Sequence, residues 1–237
     1  MNKHIIFLTC FLFAVSFSFS QNSASTLLKS AKEKENIRNY QSAIELCTKA
    51  IEQRADFDSA FCLRGIVYFK LGEFKKSLND LNHAIKLNPK YFDAFLARGV
   101  TRASRENYFD AVNDMSKAVE LNSADPKAYY NRAIARAFMS DYNGAVEDLN
   151  KAIELKSDYT EAYYSRGYWQ DVSGNYRKAI DDYNKVIQLD PKNCEAYIAM
   201  ATAKYLNGEK NDACTDLSKA ISMGSIKAEE LGNVFCK

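Results

Sequence analysis

The sequence predicts an all-α fold, a solenoid of helix-turn-helix repeats finished by a short C-terminal capping helix. Three observations predict it. The chain resembles itself at a spacing of 34 residues, six times over and without an insertion. Between the repeated positions apolar residues recur three and four apart, the period of a single helix face. The 237 residues include only nine Gly and three Pro, with 47% apolar and 26% charged residues, so the chain has the composition of a compact helix-rich protein. Charge is evenly spread and no Pro- or Gly-rich linker interrupts the repeats, which therefore read as one continuous domain.

Residues 1–20 stand apart. Lys3 and His4 precede an uncharged run from Ile5 to Phe19 that ends in Ser18, Phe19 and Ser20. A short positive start, an apolar stretch of about 15 residues and small residues before a cut describe an export signal, whereas a spanning helix needs about 20. The expected mature start is Gln21, leaving no stable membrane span after cleavage, with an uncleaved anchor as the alternative. The repeats follow at 24–57, 58–91, 92–125, 126–159, 160–193 and 194–227. Ala31, Gly65, Gly99, Ala133, Gly167 and Ala201 share one phase of the period. A second small column is Ala43, Ser77, Ala111, Ala145, Ala179 and Ala213, and a third is Ala50, Ala84, Ala118, Ala152, Val186 and Ala220. Two helices approach closely only where no bulky side chain stands between them, and large residues fill the complementary holes. Phe61, Phe95, Tyr129, Tyr163 and Tyr197 form one large column, and Phe74, Tyr108, Tyr142 and Tyr176 another. Gly72, Asn107, Asp141, Asn175 and Gly208 mark turns inside repeats, and Pro89 and Pro191 turns between them. The remainder, 228–237, is the cap: Lys227 to Phe235 reads as a short helix whose Leu231 and Phe235 cover the last repeat.

Small residues at these offsets, aromatics before them, and Asn-Pro or Asp-Pro closing a 34-residue unit resemble tetratricopeptide repeats over residues 24–227. The first unit departs most, with Leu27 where later copies carry Phe or Tyr, as a solvated end permits. The resemblance implies a right-handed superhelix whose first helices line a concave groove, whose second helices form the convex back, and whose function is to hold other proteins.

One polar column is unexpected in a helix interface. Arg64, Arg98, Arg132 and Arg166 stand immediately before the small residue of the first helix in the four middle repeats, and Asp80, Asp114, Asp148, Asp182 and Asp216 recur in the second. Pairing inside each repeat satisfies four Arg and leaves only Asp216, because Met200 replaces the fifth Arg. Pairing with the preceding repeat leaves Arg64, Asp182 and Asp216 unmatched. The pattern predicts structural ion pairs within repeats, since buried charges persist only when paired; an anion-binding ladder is the alternative.

The first-helix residues expected in the groove are Leu96 and Val100, then Lys127, Tyr130, Asn131, Ile134 and Phe138, then Tyr164, Tyr168, Asp171 and Val172, and finally Ile198 and Tyr205. Some members of the resembled family grip a C-terminal carboxylate through a Lys and Asn clamp; Lys127 and Asn131 lie near the right place, but apolar neighbours leave the set incomplete. Aromatics rimmed by Asp93, Lys127, Glu161 and Asp171 resemble a peptide-recognition groove, with plain packing between neighbours as the alternative and glycan stacking as a variant.

Other classes find little support. Without Lys3 the charge balance is 31 basic against 30 acidic residues with no basic stripe, so nucleic acid is not an expected partner. The expected mature chain has one histidine, His83, and no nucleotide loop or zinc-spaced Cys and His set, so neither enzyme, metal nor cofactor is expected. Its five cysteines are Cys47, Cys62, Cys194, Cys214 and Cys236, an odd number, so at least one thiol is free or intermolecular. The antiparallel tail brings Cys214 and Cys236 together as the expected disulfide, and Cys47 and Cys62 flank a junction as a second candidate pair. The expectation is an exported, periplasmic or secreted, non-catalytic scaffold that binds a protein or peptide. A fixed envelope subunit or a self-associating oligomer is the alternative.

Overall fold

The computed structural model describes residues 23–237; the expected export signal at 1–20 and the expected mature start at Gln21 lie outside the described residues. All regular structure among these is helical. One compact unit runs to Leu121 and contains α1 (residues 23–36), α2 (Tyr40–Gln53), α3 (Asp58–Lys70), α4 (Phe74–Leu87), α5 (Phe92–Ala103) and α6 (Tyr108–Leu121). The other begins at Asn122 and contains α7 (Pro126–Phe138), α8 (Tyr142–Leu155), α9 (Thr160–Val172), α10 (Tyr176–Leu189), α11 (Cys194–Leu206), α12 (Lys210–Ser222) and α13 (Ile226–Phe235). Where the sequence suggested one domain, contacts divide the chain at a repeat boundary, because stacked repeats touch only their neighbours. Inside each unit consecutive helices pair as hairpins and each hairpin packs on the next, α2 against α3 and α4 against α5, then α8 against α9 and α10 against α11.

The small columns are contact points. A Cβ on Gly65 would sit 2.8 Å from Cγ of Leu81, on Gly99 2.9 Å from Cγ of Met115, and on Gly167 2.9 Å from Cε1 of Tyr183. Leu81, Met115, Leu149, Tyr183 and Leu217 are the fully buried plugs opposite this column. The turn inside each repeat uses a left-handed residue at one phase: Arg38, Gly72, Glu106, Ser140, Gly174 and Gly208 all have φ between 59 and 89°. The residue after it opens the second helix, and the Asn39 and Asp141 side chains accept from the N–H of Ser42 and Gly144 as N-caps.

The Arg and Asp columns meet within repeats. Arg64 donates from Nε and Nη2 to Asp80 at 2.7 and 2.9 Å, Arg98 to Asp114 at 2.9 and 2.6 Å, and Arg132 to Asp148 and Arg166 to Asp182 at 2.8 and 2.6 Å. The four carboxylates are buried, and two-point charge-assisted bonds are the form in which such burial is tolerated. Nη1 reaches back to the preceding second helix, to Thr48 from Arg64, Asn82 from Arg98 and Asn150 from Arg166. Each guanidinium also lies 5.5 to 5.6 Å from the aromatic ring three residues earlier. One guanidinium therefore ties a hairpin together and joins it to its neighbour. Asp216, left without Arg by Met200, takes Lys204 at 2.6 Å, at the phase where Arg102 and Arg136 reach Asp114 and Asp148 at 2.7 and 3.0 Å; this second basic column, one turn beyond the first, completes the pairing.

The tail closes the second unit. α13 begins at Ile226, two residues before the expected cap, and Ser225 caps it by accepting from the Ala228 N–H. Cys214 and Cys236 form a disulfide with a Cα separation of 5.7 Å. Leu231 and Phe235 pack on the core formed by Ile198, Ala201 and Leu217, and Phe235 stacks on Tyr205 at 3.9 Å. Cys47, Cys62 and Cys194 are free, so the second candidate pair does not form.

Candidate functional site

First helices touch first helices inside each unit, α3 with α5 and α7 and α11 with α9. Their shared faces form two recesses. In the first unit Leu63, Ile66 and Phe69 of α3 face Leu96 and Val100 of α5 across an apolar cleft of about 340 Å³, within the range of ligand-sized recesses. Lys32, Lys70 and Asp93 stand at it, and Lys70 is ion-paired with Glu35 of α1. Ser59, Cys62 and Tyr91 complete the wall. Burial, reinforced by Asp93, pushes the Cys62 thiol up to about 12, and burial with Cys62 beside it holds the Tyr91 phenol above its ordinary range. Both stay neutral at physiological pH, so the wall is uncharged.

In the second unit Tyr130 of α7, Glu161, Tyr164 and Ser165 of α9, and Glu195 of α11 surround a hollow of about 390 Å³, with Thr160 and Asn193 at its edge. The Tyr130 ring lies 5.2 Å from that of Tyr159, and Ser165 Oγ donates to Tyr130 Oη at 3.5 Å. Burial, then Tyr130 and Glu161, pushes the Tyr159 phenol up to about 12; burial, then Glu195 and Tyr168, raises Tyr164.

Further along the same face, Phe138, Tyr168 and Val172 are 57, 46 and 49% exposed, so apolar surface is offered to solvent. Trp169 organises it: Tyr142 stacks on its indole at 5.6 Å, while Tyr168 and Phe138 meet it edge-on at 4.7 and 6.2 Å. The sequence reading missed Trp169, since its column holds no recurring aromatic; its being the chain's one Trp was the available signal. Cys62, Ile66, Phe69 and Tyr91 were also missed. Cys62 and Ile66 share the phase of Leu96 and Val100, and Phe69 that of Asp171, so the groove columns carried back into the second repeat would have found them; Tyr91 lies at the N-cap of α5, outside the first-helix columns.

Other expected residues are placed as follows. Lys127 is exposed, while Asn131 turns its amide back to donate to the Lys127 carbonyl at 2.8 Å, so the two do not make a clamp. Ile134 is half-buried. Asp171 is half-exposed, its Oδ1 buried without a hydrogen-bond partner and its carboxyl raised by burial. Two placements are corrected. Ile198 is buried in the terminal core at 3% exposure, and Tyr205 lies beneath Phe235; the cap occupies the part of the face assigned to them.

Comparison with known proteins places these features in context. A family model described as TPR repeat matches residues 65–104, 139–171 and 173–208. The chain is 26% identical to a protein whose structure is titled "Crystal structure of MamA protein", covering 73% of this chain and 94% of that one with a TM-score of 0.67. It is 25% identical to a tetratricopeptide repeat protein from Parabacteroides merdae, covering 90% of this chain and 84% of that one with a TM-score of 0.62. The fold is shared with YrrB, described as a TPR protein with an unusual peptide-binding site, at 21% identity, 75 and 91% coverage and a TM-score of 0.66. No curated protein matches the chain.

Proposed function

We propose that this chain, which is a tetratricopeptide repeat protein, is an exported, non-catalytic scaffold that holds a protein or peptide partner on its first-helix faces. The observation that carries the reading is the exposed aromatic surface of α7 and α9. Phe138, Tyr168 and Val172 remain open to solvent on helices whose other faces are packed, beside a recess lined by Tyr130 and Tyr164. Large rigid side chains that are solvated in the free protein are the usual anchors of a protein interface. The apolar cleft between α3 and α5 supplies a second recess able to take a buried side chain. Export is supported by the N-terminal pattern Lys3 to Ser20 and by the Cys214–Cys236 bond, which persists in an oxidising compartment. Among the described residues no helix is long and apolar enough to cross a membrane.

Affinity capture from an envelope extract tests the proposal, comparing the protein with a variant carrying Tyr130→Ala, Tyr164→Ala and Tyr168→Ala. We expect a discrete partner held by the first and lost by the second at equal helicity. Capture of the same set by both would move the site away from these helices. N-terminal sequencing of the exported protein tests the other half, with Gln21 the expected first residue.

A further inference from the structure

We propose that the hollow between α7, α9 and α11 receives the Lys or Arg side chain of a peptide partner, its cation held against Tyr130 and Tyr164 and between the carboxylates of Glu161 and Glu195. This rests on the first-helix reading above and names the chemistry that the face selects. The charged side chains lining the hollow are both acidic. Among the described residues Glu161 has no ion-pair partner, and Glu195 meets only Lys227 at 3.4 Å, with both side chains 62% exposed. Such a pair is worth little in water and is readily exchanged.

A first-turn acid gains from the positive end of its helix, which accounts for Glu161 and Glu195 without any ligand. It does not account for Asp171. That residue lies on the same stripe as Glu161, Tyr164 and Tyr168, at successive spacings of three, four and three residues, and it is next to last in α9. An anion is disfavoured at that end of a helix. Among the described residues Asp171 nevertheless has no cation against it, and its Oδ1 is buried without a hydrogen-bond partner. A helix face carrying carboxylates at both ends and tyrosines between is complementary to a cationic peptide. Tyrosine faces attract cations, and this unit already uses them so, with Lys156 4.7 Å from the Tyr159 ring and Arg132 and Arg166 5.6 and 5.5 Å from Tyr129 and Tyr163. Burial followed by the Glu195 charge raises the Tyr164 phenol, in keeping with a negative potential there. Residues 122–237 carry 15 Lys and Arg against 17 Asp and Glu, so the preference is local and does not come from bulk charge.

The test selects a random peptide display library against the purified protein and then replaces each Lys and Arg of the selected peptides by Gln. We expect the selected peptides to share a Lys or Arg whose loss weakens binding about tenfold or more. The joint change Glu161→Gln and Glu195→Gln should cost a similar factor at unchanged helicity, with no further loss when peptide and protein changes are combined. Peptides without a required cation, or a cation indifferent to the two Gln substitutions, would overturn the proposal. The Tyr130→Ala, Tyr164→Ala and Tyr168→Ala variant separates the two failures. If it still loses those peptides, first-helix binding stands and only the charge preference falls; if it binds them unchanged, the first-helix reading falls as well.

Discussion

Asp171 is held at a cost. Burial raises its carboxyl above the ordinary 3.8, so the folded chain keeps that proton to higher pH than the unfolded chain does. Stability from this group therefore falls as pH rises through the acid range. Asp171→Asn should stabilise the protein at neutral pH in urea unfolding, and the gain should vanish below pH 3.8; a loss, or a gain independent of pH, would contradict this. Burial also raises Asp182, but Arg166 grips it from two sides. Asp182→Asn should cost about 1–3 kcal/mol, because it leaves the half-buried Arg166 guanidinium without its charge partner, though still bonded to Asn150. Size matching at the helix contacts is open to the same scrutiny. Gly167→Ala places a Cβ 2.9 Å from Tyr183 and should cost about 1–3 kcal/mol. Adding Tyr183→Leu should recover most of it, since the repeats with Ala133 and Ala201 oppose Leu149 and Leu217.

Among the helices, α13 depends most on a covalent tie. Its one fully buried residue is Ala228, and its last turn is held by Phe235 on Tyr205 and by the Cys214–Cys236 bond. The bond closes a sequence separation of 22 residues, worth roughly 3 kcal/mol in the chain-entropy account. Cys214→Ser should speed hydrogen exchange over Ile226–Phe235 while α7 to α10 keep their protection, as expected where stability passes between neighbours. Uniform acceleration across the unit would show the cap to be part of one cooperative block. The helices themselves were readable from sequence because a 34-residue period constrains every column six times. The reach of the cap was not. Nothing in the periodicity says that α13 lies over Tyr205 or drives Ile198 into the core, since a terminal element has no second copy to compare.

For the chain as a whole, its repeat class, its paired Arg and Asp columns and most residues of the proposed groove follow from columns of like residues. One feature breaks those columns, Trp169 among non-aromatic equivalents, whereas Lys204 continues a second basic column with Arg102 and Arg136 that also reaches the Asp residues. Packing repeats and so can be read by alignment of the chain with itself, whereas the contacts around a single residue such as Trp169 need three dimensions. The central claim is that a partner sits on the first helices. It is tested most directly by placing a photo-crosslinking residue at position 164 on α9 or, as control, at the exposed position 181 on α10, in intact cells. The account predicts one discrete adduct from position 164 and none from position 181. An adduct formed only from position 181, or the same adducts from both, would contradict it.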